Sequence, residues 1–318
     1  APVRARRPIT KQPVRPRLIA GAALAVAAVV GVLLAVLLPS GSKALSATPN
    51  SIGVLDGKHV RAVITGGGEP GGIAYGQGAV WVTDTAGDRL LRIDPDRRTV
   101  DRIPVGHRPT GVAVGGGQVW VVNQLDRNLS EINPRALRQV GTVQVGNGAS
   151  AIAFGHGSVW VANTTDYSLS RIDPDRAKVV ATVPLAGVPG GIASGREGMW
   201  VASSSTGQLL LVDPKSNRVS QSVAIGNGPQ GLAAGGGSIW VANGPDGTVS
   251  RYEPGSGAIR KITVGNSPEG VAYGDGSVWV ANSLDGTVSR IDPETGSARL
   301  IRVGNQPMSI APVGGDAW

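Results

Sequence analysis

Three histidines, 22 carboxylates and no cysteine are the groups from which this 318-residue chain could build chemistry. Without a thiol there is neither disulfide nor cysteine nucleophile. His59, His107 and His156 stand far apart, and each has a turn-type neighbourhood rich in glycine, proline or acid. Asp94-Pro95, Asn133-Pro134, Asp173-Pro174, Asp213-Pro214, Glu253-Pro254 and Asp292-Pro293 recur at intervals near 40 residues and could suggest a ring of metal ligands. An Asp that accepts a turn N–H while Pro fixes φ explains the same pattern without a metal. The spaced glycines Gly76/Gly78, Gly155/Gly157 and Gly274/Gly276 resemble phosphate loops only superficially. A phosphate loop opens a helix, and these precede a strand pattern.

The elements that must position such groups are set by the seven tryptophans. Trp81, Trp120, Trp160, Trp200, Trp240, Trp279 and Trp318 are spaced by 39, 40, 40, 40, 39 and 39 residues. A period near 40 indicates a repeat architecture. One unit reads Gly72-Ile-Ala-Tyr75, a glycine turn, Val80-Trp81-Val82, a polar turn, Leu90-Leu-Arg-Ile93, Asp94-Pro95 and Val100-Asp-Arg-Ile-Pro-Val105. Four short alternating runs divided by turn signals predict four antiparallel strands, one blade of a β-propeller. Six complete units surround Trp81 to Trp279. Residues 51–56 and 59–64 match only third and fourth strands, while 308–311 and the stretch reaching Trp318 match only first and second. Together they predict an all-β, seven-bladed propeller over 51–318 with a composite closing blade. The tryptophans, mid-strand between apolar neighbours, are expected to pack between blades and not to form a sugar platform.

In such a meander, the loops after second and fourth strands share one face, and those after first and third share the other. His107 follows a fourth strand, His156 a first and His59 a third, so no single site unites them, and triad chemistry is excluded. The informative face is the first of the two. Its variable position reads Gly71, Thr110, Ser150, Gly190, Gln230, Glu269 and Met308 around the ring. Beside it recur Asp84, Asn123, Asn163, Ser203, Asn243 and Asn282. Asymmetry at a polar position makes Asp84, Thr110, Asn123, Ser150, Asn163, Gln230, Asn243, Glu269 and Asn282 the candidate ligand-binding set. The competing reading is that the asparagines only satisfy loop backbone. No metal site and no cofactor is implied.

Of the net charge of +8, seven units lie in the first 50 residues, which hold seven basic residues and no acid, against 23 basic and 22 acidic residues beyond. The propeller is thus near neutral, which argues against nucleic acid as its partner. Residues 18–38 form an uncharged apolar run long enough to span about 30 Å as a helix. The basic segment 1–17 places the N-terminal flank in the cytoplasm and the propeller outside. Residues 39–50 read as a Ser/Ala/Pro spacer. Alanine at position 1 and a final strand that stops at its tryptophan lead us to expect a longer protein at both ends.

Trp160-Val-Ala-Asn163, Trp240-Val-Ala-Asn243 and Trp279-Val-Ala-Asn282, with the run from Asp285 to Pro293, resemble the signature of the 40-residue YVTN-type β-propeller repeat. Streptogramin lyase and NHL propellers share that fold more distantly. The layout also resembles actinobacterial single-pass proteins in which a cytoplasmic kinase or transcription-regulator domain precedes the helix and an outer propeller, although no such cytoplasmic motif is present. With no converging His/Glu set in the sequence to carry over, we expect a membrane-anchored, extracytoplasmic module that binds or senses a small molecule, glycan or protein without catalysis. The alternatives are a lyase or hydrolase of the streptogramin-lyase type at the channel mouth, which would need a bound cation, and a structural protein of the cell surface or wall. The topology has a direct test. Protease added to cells with permeable walls should digest the propeller while a tag before Arg4 stays protected, and the reverse pattern would refute the anchor.

Overall fold

The computed structural model describes residues 45–304 and 306–318, in which every regular element is a β-strand. No helix among the described residues is long and apolar enough to cross a membrane. The predicted span at 18–38 and its basic flank lie outside the described residues. The strands form seven four-stranded antiparallel sheets, the blades of a β-propeller. Blades one to six cover residues 70–104, 109–144, 149–184, 189–224, 229–263 and 268–302, and their strands pair in sequence order. The seventh is composite. Ser51–Leu55 and Val60–Thr65 supply its third and fourth strands, and Pro312–Val313 and Asp316–Ala317 its first and second.

The tryptophan strand is the driest part of each blade. All six residues of Ser158–Asn163 are buried, as are those of Ser238–Asn243 and Ser277–Asn282. Each tryptophan faces a first-strand alanine, as Trp160 faces Ala153, so the bulky ring sits beside a residue too small to compete for space. On its other side stands a third-strand residue, Arg171 for Trp160. That guanidinium lies 5.2 Å from the Trp160 ring centroid, donates from Nε to Ser158 Oγ at 2.9 Å, and donates to the Pro214 carbonyl of the next blade. Arg251 repeats the arrangement over Trp240 and reaches the Pro293 carbonyl at 2.6 Å. A cation over an aromatic face that also caps a turn carbonyl ties two blades together. The Asp-Pro turns therefore serve the ring: Asp213 accepts the Lys215 N–H at 2.9 Å, and the Pro214 carbonyl takes the arginine. Blade four has Leu211 at the arginine position, and there Tyr252 meets Trp200 edge-on at 5.5 Å.

The apolar clusters lie between blades and not within them. Trp120 packs with Val159 and Val161, Trp160 with Leu210 and Val212, and Trp240 with Val278 and Val280. The series closes because Trp279 meets Leu55 and Ala317, and Trp318 meets Val80 and Val82. With these rings 5% exposed or less, no face remains for stacking a sugar.

The closing blade departs from the sequence pattern in detail. Residues 308–311 read as a first strand, yet the strand begins at Pro312, and before it only Ala311 is paired, exchanging two 2.9 Å backbone bonds with Trp318. The end of the spacer is engaged as well. Leu45 bridges Val60, Ala47 bridges Gly304, and the Ala47 N–H reaches the Val303 carbonyl at 2.6 Å. Composition did not show this, because a single bridging residue carries no periodicity. Trp160→Ala should leave a cavity between two blades and lower unfolding free energy by about 3–5 kcal/mol in denaturant titration. A loss below about 1 kcal/mol would mean that the tryptophan is not the wedge described.

Candidate functional site

Each first strand of blades one to six starts with a bulge on the face of the second-to-third and fourth-to-first loops. In blade two the register slips between Pro109, opposite Asn123, and Val112, opposite Val121. A bulge re-aims a side chain, and here it presents the variable residue, Thr110, at the channel mouth. The following glycine is needed for close approach: a Cβ on Gly111 would press on the Ser150 carbonyl, and one on Gly231 would collide with the Glu269 carbonyl. The inner strands thus meet backbone to backbone, with Thr110 Oγ1 bridging to the Ser150 carbonyl at 3.3 Å.

The predicted site residues fall into two layers. Asn123, Asn163, Asn243 and Asn282 are buried. The Asn163 amide donates to Ser168 Oγ and Ser170 Oγ at 3.1 and 3.0 Å, and Asn282 reaches Thr287 Oγ1 and Ser289 Oγ at 3.0 and 2.9 Å. Asn123 also accepts the Gly106 N–H at 3.1 Å. These amides pin the second strand to the third, and Asn123 also holds the entering loop, whereas the buried Oδ1 atoms of Asn163, Asn243 and Asn282 have no partner among the described residues. Asp84 does the same work as an anion, accepting the Glu69 N–H at 3.0 Å and Arg89 Nε at 2.7 Å. Burial pushes its carboxyl up, but the Glu69 and Gly68 amides and Arg89 outweigh burial and hold it below the usual carboxylate range. Thr110, Ser150, Gln230 and Glu269 form the outer layer, half-buried except for the exposed Gln230. Glu269 accepts a hydrogen bond from Ser283 Oγ at 2.8 Å.

A second set of groups, not singled out by sequence, lies further out on the same loops. The Asn147 N–H and side-chain amide both bind Asp166, at 2.6 and 2.9 Å. Asn227 with Asp246 and Asn266 with Asp285 repeat this clamp, which docks the entering loop onto the blade. In blade two histidine takes the asparagine's place: the His107 N–H reaches Asp126 at 2.8 Å and Nδ1 lies 2.9 Å from its other oxygen. The hydrogen bond to Asp126 holds the imidazole pKa above its ordinary value. The His107 N–H and ring in turn hold Asp126 below the usual range. His107 is accordingly a clamp residue. His156 lies on the opposite face, where Nε2 bonds the Gly195 carbonyl at 3.0 Å, and His59 lies in a third-to-fourth-strand turn of that face. Among the described residues no three His, Asp or Glu side chains cluster so as to hold a metal ion.

Exposed apolar side chains break the symmetry of this face. Leu125, Leu284 and Met308 are 65%, 73% and 57% exposed. Two shallow depressions flank Leu284, one reaching Gln230 and Asp246, the other Arg302 and Gln306. Their sequence signal was present at the second residue after each Asn, which reads Leu125, Thr165, Pro245 and Leu284, but exposure in a turn leaves no periodic mark.

Comparison with solved structures places this geometry. Virginiamycin B lyase from Staphylococcus aureus, as an inactive variant with quinupristin, superposes with TM-score 0.68 at 16% identity over 76% of this chain and 88% of its own. The fold is shared. Hydrazine synthase of Kuenenia stuttgartiensis gives TM-score 0.67 at 15% identity, covering 76% and 88% of the two chains. The extracellular domain of a one-component system from B. thetaiotaomicron gives 0.63 at 16% identity, covering 79% of this chain and 39% of that one. At such identities the likeness concerns the seven-bladed fold alone. No family model matches the sequence, and no curated protein matches it.

The clamp predicts a signed pH dependence. Because folding raises the His107 pKa, its contribution is complete below its unfolded value of about 6.5 and is lost as pH rises through the folded value. The lowered Asp126 contributes above its unfolded value and loses that contribution as pH falls through its folded one. The Tm advantage of the native chain over His107→Asn should therefore be larger at pH 5.5 than at pH 8.5. An advantage that grows with pH would contradict the clamp.

Proposed function

We propose that this chain is a non-catalytic binding or sensing module, held at the outer face of a membrane by residues 18–38. Its ligand, a small molecule, glycan or protein loop, contacts the face built from the bulges and the second-to-third-strand loops. One observation carries this reading. The repeated Asn and Asp side chains of the face are buried or clamp its loops, whereas Glu269, Gln230, Leu284 and Met308, at positions that differ between blades, are half-buried or exposed. Glu269, Gln230, Leu284 and Met308 give that surface an acceptor, an amide and two apolar contacts on its blade five to closing-blade side, a mixture suited to orienting a ligand. The similarity to an extracellular domain of a one-component system is consistent with sensing. Lyase chemistry of the kind named for the virginiamycin enzyme would need a converging acid–base pair. His107, the histidine of this face among the described residues, is bound to Asp126 at the rim.

A thermal-shift screen of glycans, peptides and small molecules tests the assignment. Glu269→Ala and Leu284→Ala should each change stability by less than about 0.5 kcal/mol and abolish the shift produced by any ligand found. Tyr75→Ala, at the opposite channel mouth, should keep it. Binding lost with Tyr75→Ala and retained in the other two variants would move the site to the other face.

A further inference from the structure

The outer strands of blades five and six differ from those of blades two to four. Arg138–Gln144, Lys178–Pro184 and Arg218–Ala224 each carry one basic residue, at the first position. Ala258–Thr263 and Ala298–Arg302 carry two each and no acid, and Ile259 and Leu300 are exposed beside them. Ile262 packs against blade six and Ile301 against the closing blade, which fixes the direction of each alternate side chain. Arg260 thus leans toward blade six, where it donates to the Thr295 carbonyl at 2.8 Å, while Leu300 and Arg302 lean back toward blade five. Arg299 and Arg302 meet no carboxylate within salt-bridge distance among the described residues. Asp246, Asp285 and Asp292 of these blades sit in turns, bound by Asn227, Asn266 and the amides of Glu294 and Thr295. One sector of a propeller whose total charge is near zero therefore carries a basic strip with an apolar component.

The same sector receives the chain from its N-terminal side. The Ala47 N–H and Ser46 Oγ both donate to the Val303 carbonyl, at 2.6 and 3.3 Å, one residue beyond the outer strand of blade six. A Cβ on Gly304 would press on the Ala47 carbonyl, and Gly53 leaves the space in which Ala47 lies. The chain is fixed to the ring from Leu45 onward, and Leu45 is itself exposed. Six residues, 39–44, separate that point from the apolar run at 18–38. A segment of this length reaches at most about 25 Å. With the run in a bilayer, blade six is the sector that the tether holds nearest to lipid.

We propose that the outer strands of blades five and six are a docking surface for anionic lipid, which holds the propeller by its rim against the membrane of its own anchor. This rests on the membrane-anchored reading above and is separate from the ligand assignment. Arg260, Lys261, Arg299 and Arg302 meet the headgroup phosphates, and Ile259 and Leu300 enter the interfacial region. Each basic residue near an anionic surface favours binding by about fivefold. That is weak for a free protein and sufficient for one whose short tether supplies a high effective concentration. Docking by the rim leaves the candidate ligand face open.

The chain contains no cysteine, so a single introduced thiol can carry a fluorescent label. The full chain, labelled at Ala298→Cys or, in blade three, at Thr182→Cys, is reconstituted in vesicles with an energy-transfer acceptor on a lipid headgroup. In vesicles containing phosphatidylglycerol, transfer from position 298 should far exceed that from position 182. Changing Arg260, Lys261, Arg299 and Arg302 together to Gln should lower the docked-to-free ratio roughly a hundredfold or more. The two signals then fall to the values found in phosphatidylcholine alone. High salt should do the same to the chain without those four changes, whatever they do to folding. A difference between the two labels that ignores lipid charge, salt and the four substitutions would overturn the docking and leave the span in place. Release of the chain from the vesicles by an alkaline wash would overturn the span, and the docking with it.

Discussion

Burial of one tryptophan between each pair of sheets is the constraint on which this ring depends. A propeller blade has two faces, and each must be covered by a neighbour, so stability resides in the contacts between repeats. The tryptophan supplies the largest side chain at that contact. Its surroundings are built for it: alanine on the first strand leaves it space, and arginine on the third lies over the ring in blades three, five and six. The same guanidinium then reaches toward the next blade, so one residue couples ring stacking to interblade hydrogen bonding.

That constraint decides what remains for function. Side chains at repeated positions are engaged by folding, from the buried asparagines to the Asp clamps around the rim. Inner strands approach so closely that glycine is required at Gly111 and Gly231, leaving backbone, not side chain, at the narrowest points. Chemical individuality survives only where the repeat varies. Glu269, Gln230, Leu284 and Met308 occupy such places, and they gather on one side of one face.

Much of this was legible in the sequence because the repeat amplifies each signal six times. The tryptophan spacing, the Asp-Pro turns and the half-units at the two ends gave seven blades and a composite closure. Which loops share a face was legible for the same reason, from the alternation of turns. What sequence could not weigh was burial. Asn163 and Glu269 are both polar and both near the channel mouth, yet one is sealed beneath serine hydroxyls and the other meets solvent. His107 looked like a lone titratable group, since its equivalence to Asn147 emerges only when both are seen binding an aspartate. The closing blade was harder still, because 308–310 carry a first-strand pattern without the partner that would turn pattern into ladder.

Closure ties these observations together. The ring closes between blade six and blade one because Ser51–Leu55 and Val60–Thr65 return to pair with Asp316–Ala317 through Leu55 and Ala317. Thermal unfolding of a chain lacking residues 51–65 tests this most directly. A ring closed by both ends predicts a large fall in Tm and self-association through the bared faces around Trp279 and Val82. Unfolding at the temperature of the intact chain, as a monomer, would contradict it.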